Sequence, residues 1–261
     1  MPSKNKEVKG LSWGSSSVGN ATWTGVRLID VLKLVGVNDN TRGYCHVHFE
    51  GLDADTANNP YTASIPFYKA LDKRGDVLLA YEMNGKPIPR DHGFPVRAVV
   101  PGTVGARNVK WLGRVIVAKE ECDSHWQRKD YKGVSPSANA SEIDLSNGES
   151  VKVEDGHIAI KGYAWSGGGR KIIRVDVTVN GGKEWYVADF DHQESTEPPH
   201  HWSWTLWSAK IPVSLEQKTI EIWAKAIDSS YNSQPDTINN IWNFRGFLNN
   251  AYHRVKGKQR I

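Results

Sequence analysis

The spacing of hydrophobic residues changes along the chain, from mixed patterns before residue 131 to strict alternation beyond it. The first pattern has the period of an amphipathic helix and covers residues 24–35. Its apolar positions are Leu28, Ile29, Val31, Leu32 and Val35. Because Thr24 can cap such a helix and Gly36 can end it, the spacing predicts one helix between these two residues.

Short apolar runs with strand character follow this helix. They cover residues 44–49, 77–83, 96–100 and 110–117. Asn84-Gly85 and Pro101-Gly102 are turn signals between them. Because helix and strand patterns are mixed without a βαβ repeat, residues 1–131 are predicted to form an α+β (mixed α/β) domain.

Beyond Tyr131 the composition becomes small and polar before the alternation begins. Residues 135–141 read Ser-Pro-Ser-Ala-Asn-Ala-Ser, which is typical of a linker. The alternating apolar positions that follow are Ile158 and Ile160, then Val175, Val177 and Val179, then Ile220, Ile222, Ala224 and Ala226. Short strands at this spacing without a helical segment predict an all-β, immunoglobulin-like sandwich, which we place at residues 132–257.

Charge and composition argue against two classes of protein. The formal net charge is only +4 and the basic residues are spread along the chain, whereas a nucleic-acid groove shows a concentrated basic stripe. No run approaches the roughly 20 apolar residues of a membrane span. The first residues lack the features of a secretory signal or a transit peptide, so we expect no targeting signal in this chain. Its two cysteines are too few for a disulfide framework or a four-ligand zinc site.

The densest group of chemically active side chains lies on either side of the apolar run at residues 96–100. Arginine, lysine and histidine occur in residues 89–97 and 101–111, together with several glycines. Glycine lets backbone N–H groups approach an anion, and cationic side chains donate charge-assisted hydrogen bonds to phosphate. The segment matches neither a Walker loop nor a dinucleotide fingerprint. From these residues alone, a turn-rich surface with solvated cations remains favoured over a phosphate site.

Two further groups of residues allow an anion contact. In residues 125–133, Tyr131 has cationic neighbours, but the segment could equally be a hinge that packs one domain on the other. In residues 242–246, Arg245 lies among aromatic residues, where a surface cation stacked on a ring is the more frequent arrangement.

Taken together, these segments resemble the sulfite oxidase family. The matching segments, in chain order, are residues 8–13 (VKGLSW), 49–53 (FEGLD), 79–85 (LAYEMNG), 90–97 (RDHGFPVR), 105–114 (GARNVKWLGR), 125–133 (HWQRKDYKG), 162–170 (GYAWSGGGR), 234–237 (QPDT) and 242–246 (WNFRG). They extend over nearly the whole chain in the family's order, which makes the resemblance far more specific than any single motif.

The resemblance implies the carboxy-terminal part of a molybdopterin-binding domain, followed by an immunoglobulin-like dimerisation domain. It implies a molybdenum–molybdopterin cofactor and the two-electron oxidation of sulfite to sulfate by oxygen-atom transfer. The residues that match the positions holding the pterin and its phosphate are Asp53, His92, Arg97, Arg107 and Lys110. The residues that match the oxyanion pocket beside the metal are Trp13, Tyr131 and Arg245.

The resemblance also implies partners and a location. Family members are homodimers through the carboxy-terminal domain and pass electrons to an acceptor such as a cytochrome. The chain ends in Lys258-Gln259-Arg260-Ile261, which is not a peroxisomal signal, so the animal-like branch in the mitochondrial intermembrane space is favoured.

The sequence departs from the family pattern at the metal ligand. The family's ligand cysteine precedes the segment matched by residues 8–13, and neither Cys45 nor Cys122 occupies that position. No residue of this chain is therefore predicted as a metal ligand, and no segment resembles the family's haem domain. We expect an amino-terminally truncated chain that is inactive alone. Asn108 stands where many relatives carry histidine, and we do not expect this change to abolish binding.

Three alternatives remain open. The chain could be the molybdenum domain of a nitrate reductase, although residues 167–169 and Arg245-Gly246 favour sulfite. It could be a non-catalytic dimerisation fragment, which the missing cysteine supports. A nucleic-acid binder would rest only on the basic isoelectric point and the tryptophan content.

Overall fold

The computed structural model describes residues 19–128, 130–131, 149–214, 219–242 and 249–260. These residues form two compact units, one that ends at residue 131 and one that begins at residue 149. The predicted division at residues 131 and 132 stays a prediction, because residues 132–148 lie outside the described part of the chain.

The first unit is mostly sheet, with a few short helices. Its elements are β1 (Trp23–Arg27), α1 (Leu28–Leu34), β2 (His46–Ala54), β3 (Pro60–Pro66), α2 (Phe67–Leu71), β4 (Leu78–Met83), β5 (Lys86–Pro87), β6 (Arg97–Val99), β7 (Leu112–Ala118) and α3 (His125–Arg128). One antiparallel sheet has the order β1-β4-β5, with β6 also paired to β4, and the other has the order β3-β2-β7. The predicted mixture of helix and strand is therefore confirmed, with more sheet than helix.

The predicted helix over residues 24–35 is wrong in its first turn. Thr24 lies in β1 opposite Glu82 of β4 and does not cap a helix. A Cβ at Gly25 would lie only 2.7 Å from the Cα of Ala80, so this strand can approach β4 closely only because the residue is glycine. Helix α1 begins at Leu28 and buries its apolar face, and Gly36 follows it with a φ of +81°. Pairing with a distant strand has overridden the local periodicity.

The core of the first unit lies between α1 and the sheet that contains β2. Its buried members include Leu28, Leu32, Val47, Phe49, Ala63, Ile65, Val100 and Val109. Strand β2 alternates buried and half-buried positions along its first six residues, as its sequence pattern predicts. The strand begins at His46 rather than Tyr44 and continues to Ala54. It therefore carries Asp53 at its far end, next to the start of β3.

The Asn84-Gly85 turn signal is confirmed. Both residues have positive φ angles, 54° and 71°, and they connect β4 to its antiparallel neighbour β5. Asparagine and glycine tolerate this left-handed backbone better than other residues do, which explains why the dipeptide predicts a tight hairpin.

The second unit is built from strands, and no helix occurs among its described residues. The strands are β8 (Glu149–Lys152), β9 (His157–Ala164), β10 (Ile172–Thr178), β11 (Tyr186–Val187), β12 (Asp189–His192), β13 (Thr205–Pro212), β14 (Thr219–Asp228) and β15 (His253–Arg260). They form two sheets, with the orders β11-β10-β14-β15-β8 and β12-β13-β9. All pairings are antiparallel except that of β15 with β8, which is parallel.

The alternation that predicted these strands has the expected physical cause. Val175, Val177 and Val179 are buried in the core of the second unit, where they meet Ile158, Ile211 and Ile220 from other strands. Their neighbours along each strand point to the opposite face of the sheet. Across the part of the chain that is described, no helix is long and apolar enough to cross a membrane.

Candidate functional site

The predicted cationic segments lie in the first unit, on both sides of β6. Residues Arg90–His92 form a single 3-10 turn that ends at Gly93, and residues Gly105–Arg107 form a second such turn. The chain then passes through Lys110 into β7. Each turn thus lies at an end of a strand, where it presents polar groups without interrupting the sheet.

Arg97 and Lys110 converge on the backbone of Gly93. A Cβ added to Gly93 would lie 2.9 Å from the Cβ of Lys110 and 3.1 Å from the Cβ of Arg97. The φ of Gly93 is +109°, in the region that favours glycine. Two residues that are 13 positions apart in the sequence are therefore brought together by the absence of a side chain between them.

Both cations donate hydrogen bonds to backbone carbonyl groups. Arg97 Nη1 donates to the carbonyl oxygen of His92 at 2.8 Å, and Nη2 donates to that of Asn108 at 3.1 Å. Lys110 Nζ donates to the carbonyl oxygen of Asp91 at 2.8 Å. Neither side chain has a carboxylate partner among the residues that the structure describes. The cations therefore hold the Arg90–His92 turn while keeping most of their charge uncompensated.

Aromatic rings cover the same two cations. The guanidinium carbon of Arg97 lies 4.8 Å from the centroid of the Trp23 ring, and Lys110 Nζ lies 4.2 Å from that of Trp111. Burial lowers the pKa of Arg97 from its usual value, because removal from water disfavours the charged form. An anion bound here would meet a partly desolvated cation, where electrostatic attraction is stronger than in water.

Asn108 fixes the position of the Gly105–Arg107 turn. Its Oδ1 accepts a hydrogen bond from Val100 N at 2.7 Å, and its Nδ2 donates to the carbonyl oxygen of Gly105 at 3.3 Å. The side chain therefore connects β6 and its flanking residues to the turn. Its two polar atoms are used within the protein, which indicates a structural role for Asn108 rather than a ligand contact.

Two charged side chains in this region have buried polar atoms without a partner. Arg107 is only 9% exposed, and its Nη1 has no hydrogen-bond partner among the described residues. Asp53 Oδ1 is likewise buried and unpartnered. Leaving such an atom unsatisfied costs about 1–3 kcal/mol, and more for a charged group. A ligand that offers both hydrogen-bond acceptors and donors would satisfy these atoms, as the phosphate and the ring nitrogens of a pterin do.

The side chain of Asp53 and the backbone of Lys110 both lie beside Gly51, near the end of β2. A Cβ at Gly51 would collide with Asp53 Oδ1 and would lie 3.1 Å from the carbonyl oxygen of Lys110. This added Cβ of residue 51 would also lie 3.4 Å from the carbonyl oxygen of Tyr61, the second residue of β3. The structure therefore brings Asp53 into the same region as the cationic segments, although it is more than 50 residues from Lys110 in the sequence.

His92 and Tyr131 are the more exposed of the predicted site residues. The imidazole of His92 is exposed and has no hydrogen-bond partner among the described residues. Tyr131 is 38% exposed and has a φ of 50°. Its backbone N donates to Asp130 Oδ1 at 2.9 Å.

The segment that leads to Tyr131 is fastened to β3. Ser64 N donates to Gln127 Oε1 at 3.1 Å, Cys122 N donates to Ser64 Oγ at 3.0 Å, and Ser124 Oγ donates to the carbonyl oxygen of Thr62 at 2.5 Å. Gln127, which lies in α3, is buried. These bonds hold the residues before Tyr131 against the same strand that begins beside Asp53.

Two of the predicted site residues cannot be compared with this group. Trp13 and Arg245 lie outside the described residues, so their predicted roles stay predictions. Cys45 is exposed and directly precedes β2, so it lies at the other end of that strand from Asp53. Cys122 is buried beside Ser64, and both cysteines are free thiols. No cluster of three or more histidine, cysteine or acidic residues suited to a metal occurs in the described ranges.

Three aromatic residues at the site were not found from the sequence. Trp111 could have been found, because it directly follows Lys110 in a segment already identified. Trp23 and Tyr61 carry no local signal of a site. Trp23 reaches it because β1 pairs with β4, a strand distant in the sequence. Tyr61 reaches it because β3 pairs with β2, the strand that carries Asp53.

Comparisons with known proteins identify the class to which the chain belongs. Residues 2–126 match the family model described as "Oxidoreductase molybdopterin binding domain", and residues 137–260 match "Mo-co oxidoreductase dimerisation domain". The crystal structure of the sulfane dehydrogenase SoxCD from Paracoccus pantotrophus is similar, with a TM-score of 0.69 and 26% sequence identity. The match covers 93% of this chain and 63% of that chain. The chain is thus of the molybdopterin-dependent oxidoreductase class.

Relatives define the family within this class. The sulfite oxidase of Arabidopsis thaliana is 43% identical over 281 residues, which cover 97% of this chain and 71% of the relative. The protein named "Sulfite oxidase, mitochondrial" of Drosophila melanogaster is 54% identical over 98% of this chain and 48% of the relative. The chain belongs to the sulfite oxidase family, and the resemblance noted from its sequence is confirmed. It spans about half the length of the Drosophila relative.

We predict that Gly93→Ala destabilises the first unit more than Gly85→Ala does. Both glycines have positive φ, and forcing alanine into that region costs roughly 1–2 kcal/mol. At Gly93 the new Cβ would also crowd Arg97 and Lys110. At Gly85 the new Cβ would have no heavy atom within 4 Å apart from those of its chain neighbours. Crowding of this kind adds about 1–3 kcal/mol. Chemical denaturation of both variants measures the difference, and equal losses of stability would contradict the packing described for Gly93.

Proposed function

We propose that the first unit holds a molybdenum–molybdopterin cofactor and that Asp53, His92, Arg97, Arg107 and Lys110 bind its pterin and phosphate. The observation that carries the proposal is the pair of unpartnered buried atoms, Arg107 Nη1 and Asp53 Oδ1. They lie in the unit where Arg97 and Lys110 converge, and no described residue offers either cation a carboxylate partner. The family membership of the chain supports the same ligand.

Each of the proposed residues makes the kind of contact that its side chain allows. Arg97, Arg107 and Lys110 donate charge-assisted hydrogen bonds and attract the phosphate. Asp53 Oδ1 accepts a hydrogen bond from a ring N–H group. His92, exposed at the end of its turn, closes the outer side of the site. When bound, the cofactor supplies two-electron oxygen-atom transfer.

We further propose that the whole protein oxidises sulfite to sulfate. Sulfite and water yield sulfate, two protons and two electrons, and an acceptor such as a cytochrome takes the electrons. Tyr131 would orient the oxyanion by a hydrogen bond, and Arg245 would hold it and partly neutralise its charge. Trp13 would line the same pocket. The resemblance at residues 167–169 and Arg245-Gly246 favours sulfite over nitrate.

The second unit is proposed to form a homodimer, with an immunoglobulin-like arrangement of its strands. The match to a dimerisation domain over residues 137–260 and the two-sheet, helix-free architecture of the described residues support this. Because the Drosophila relative bears the name "Sulfite oxidase, mitochondrial", we propose the mitochondrion as the location, and more finely its intermembrane space. Fractionation of mitochondria with protease protection would test this location.

We expect Arg97→Gln to lower the cofactor content of the purified chain sharply. Loss of one partner of a buried charged contact typically costs about 2–5 kcal/mol. The measurement is the amount of pterin per chain, from the fluorescence of its oxidised form, after expression in a host that makes molybdopterin. Arg42→Gln is the matched control, because Arg42 is exposed and comes before the start of β2, whereas Asp53 lies at the other end of that strand. Equal pterin contents in the two variants would refute the assignment of Arg97.

In the whole protein, we expect sulfite to be oxidised much faster than nitrate is reduced. Arg245→Gln should reduce kcat/KM for sulfite by an amount equivalent to about 2–5 kcal/mol, because a buried oxyanion loses its counter-charge. Steady-state assays with both anions measure this, with Arg42→Gln as the control. Nitrate reduction as the faster reaction would favour the nitrate reductase alternative.

We expect the sedimenting species to have twice the molecular mass of one chain, as a homodimer does. A stable homodimer interface typically buries about 1,200–2,000 Å² in total, which is enough for association at micromolar concentrations. Sedimentation velocity over a hundredfold range of concentration is the measurement. A single monomeric species throughout that range would refute the proposed homodimer.

A further inference from the structure

The hydroxyl group of Tyr61 contacts the turn that carries Arg107. Tyr61 Oη donates a hydrogen bond to the carbonyl oxygen of Ala106 at 2.9 Å. Ala106 is the middle residue of the Gly105–Arg107 turn. The contact crosses 45 positions of sequence and comes from β3, a strand with its own sheet partner. It therefore fixes the turn to a rigid element.

The bonds within the turn are local and do not fix its position on the sheet. Arg107 N donates to the carbonyl oxygen of Val104 at 3.0 Å, and Asn108 N donates to that of Gly105 at 3.0 Å. A single 3-10 turn of this kind is weakly stable alone. The direction of the Arg107 side chain thus depends on the contacts that hold the turn from outside, which are those of Asn108 and Tyr61.

The ring of Tyr61 also contacts the segment that leads to Tyr131. Its centroid lies 5.8 Å from that of Trp126 in α3, with the two planes inclined at 34°. Burial raises the pKa of Tyr61, nearby Tyr131 raises it further, and Arg107 acts in the opposite direction. The phenol is therefore protonated and able to donate at neutral pH. It also lies within electrostatic reach of both Arg107 and Tyr131.

We propose that Tyr61 is a positioning residue, which directs Arg107 toward the phosphate of the cofactor by bonding the turn at Ala106. Tyr61 does not touch the ligand in this proposal and acts only through Arg107. The inference rests on the proposed function, because it assigns Arg107 to a pterin phosphate.

The test is a double-mutant cycle on the 261-residue chain with Tyr61→Phe and Arg107→Gln. The probe is molybdopterin, and binding is followed by quenching of tryptophan fluorescence. Tyr61→Phe keeps the ring that contacts Trp126 and removes only the hydroxyl. We expect it to weaken binding about 3- to 10-fold, as one neutral hydrogen bond would. We expect Arg107→Gln to weaken binding about 30-fold or more.

The decisive result is the effect of Tyr61→Phe when Arg107 is already glutamine. We expect the double variant to bind as well as Arg107→Gln alone, because the turn then has no guanidinium to direct. Additive losses would overturn the proposal, since a general loss of structure would weaken binding in either background. Tyr68→Phe is the matched control, because Tyr68 is 76% exposed in the same unit and should bind normally.

Folding and the proposed function are monitored separately. Loss of one hydrogen bond should lower the thermal midpoint by about 2–4 °C, and the cycle is run at a temperature at which all variants are folded. If the unchanged chain fails to bind molybdopterin, the proposed function and this inference both fall. If it binds and Tyr61→Phe binds equally well, only the inference falls.

Discussion

Positive charge at the candidate site is half-buried, and within the described part of the chain its partners are backbone carbonyl oxygens and not carboxylates. Arg97 and Lys110 donate hydrogen bonds to carbonyl groups of the Arg90–His92 turn. These bonds stabilise the conformation of the turn, and they also fix the positions of the two cationic side chains. A carbonyl oxygen carries only a partial charge, and it leaves the site with a positive potential. The glycine at position 93 and the rings of Trp23 and Trp111 allow this arrangement to pack. This positive potential is the physical basis of the anion binding that we propose.

The cations and glycines of the candidate site could be located from the sequence, because they lie within residues 89–111, but their assignment to a phosphate came from the family resemblance. Local signals of this kind survive folding: Asn84-Gly85 forms its turn, and the alternating valines of β10 are buried. Local signals fail where distant pairing decides the structure. Thr24 lies in a strand because β4 is beside it. Tyr61 was missed for a different reason, because the sequence pattern did not indicate β3, which pairs with the preceding strand β2. Trp13 and Arg245 were assigned by resemblance, and their roles remain predictions.

Asn108 illustrates how a change at a family position can be understood from its contacts. The resemblance to the family implies histidine at this position in many relatives. Here both polar atoms of the amide bond backbone groups, one at Val100 and one at Gly105. The residue therefore stabilises the turn beside the cations, and the ligand contacts that we propose are those of Arg97, Arg107 and Lys110. Its tolerance in a binding-competent chain remains a prediction.

The parallel pairing of β15 with β8 has a consequence for how the second unit is made. Of the strands that the structure describes in this unit, β8 comes first in the chain and β15 comes last, and the two are hydrogen-bonded neighbours. The larger sheet therefore cannot be completed until β15 has left the ribosome. Until then, the edge of β14 that later receives β15 is open to other chains. Contacts between such distant segments also slow folding. During synthesis this unit should therefore depend on chaperones for longer than the first unit does.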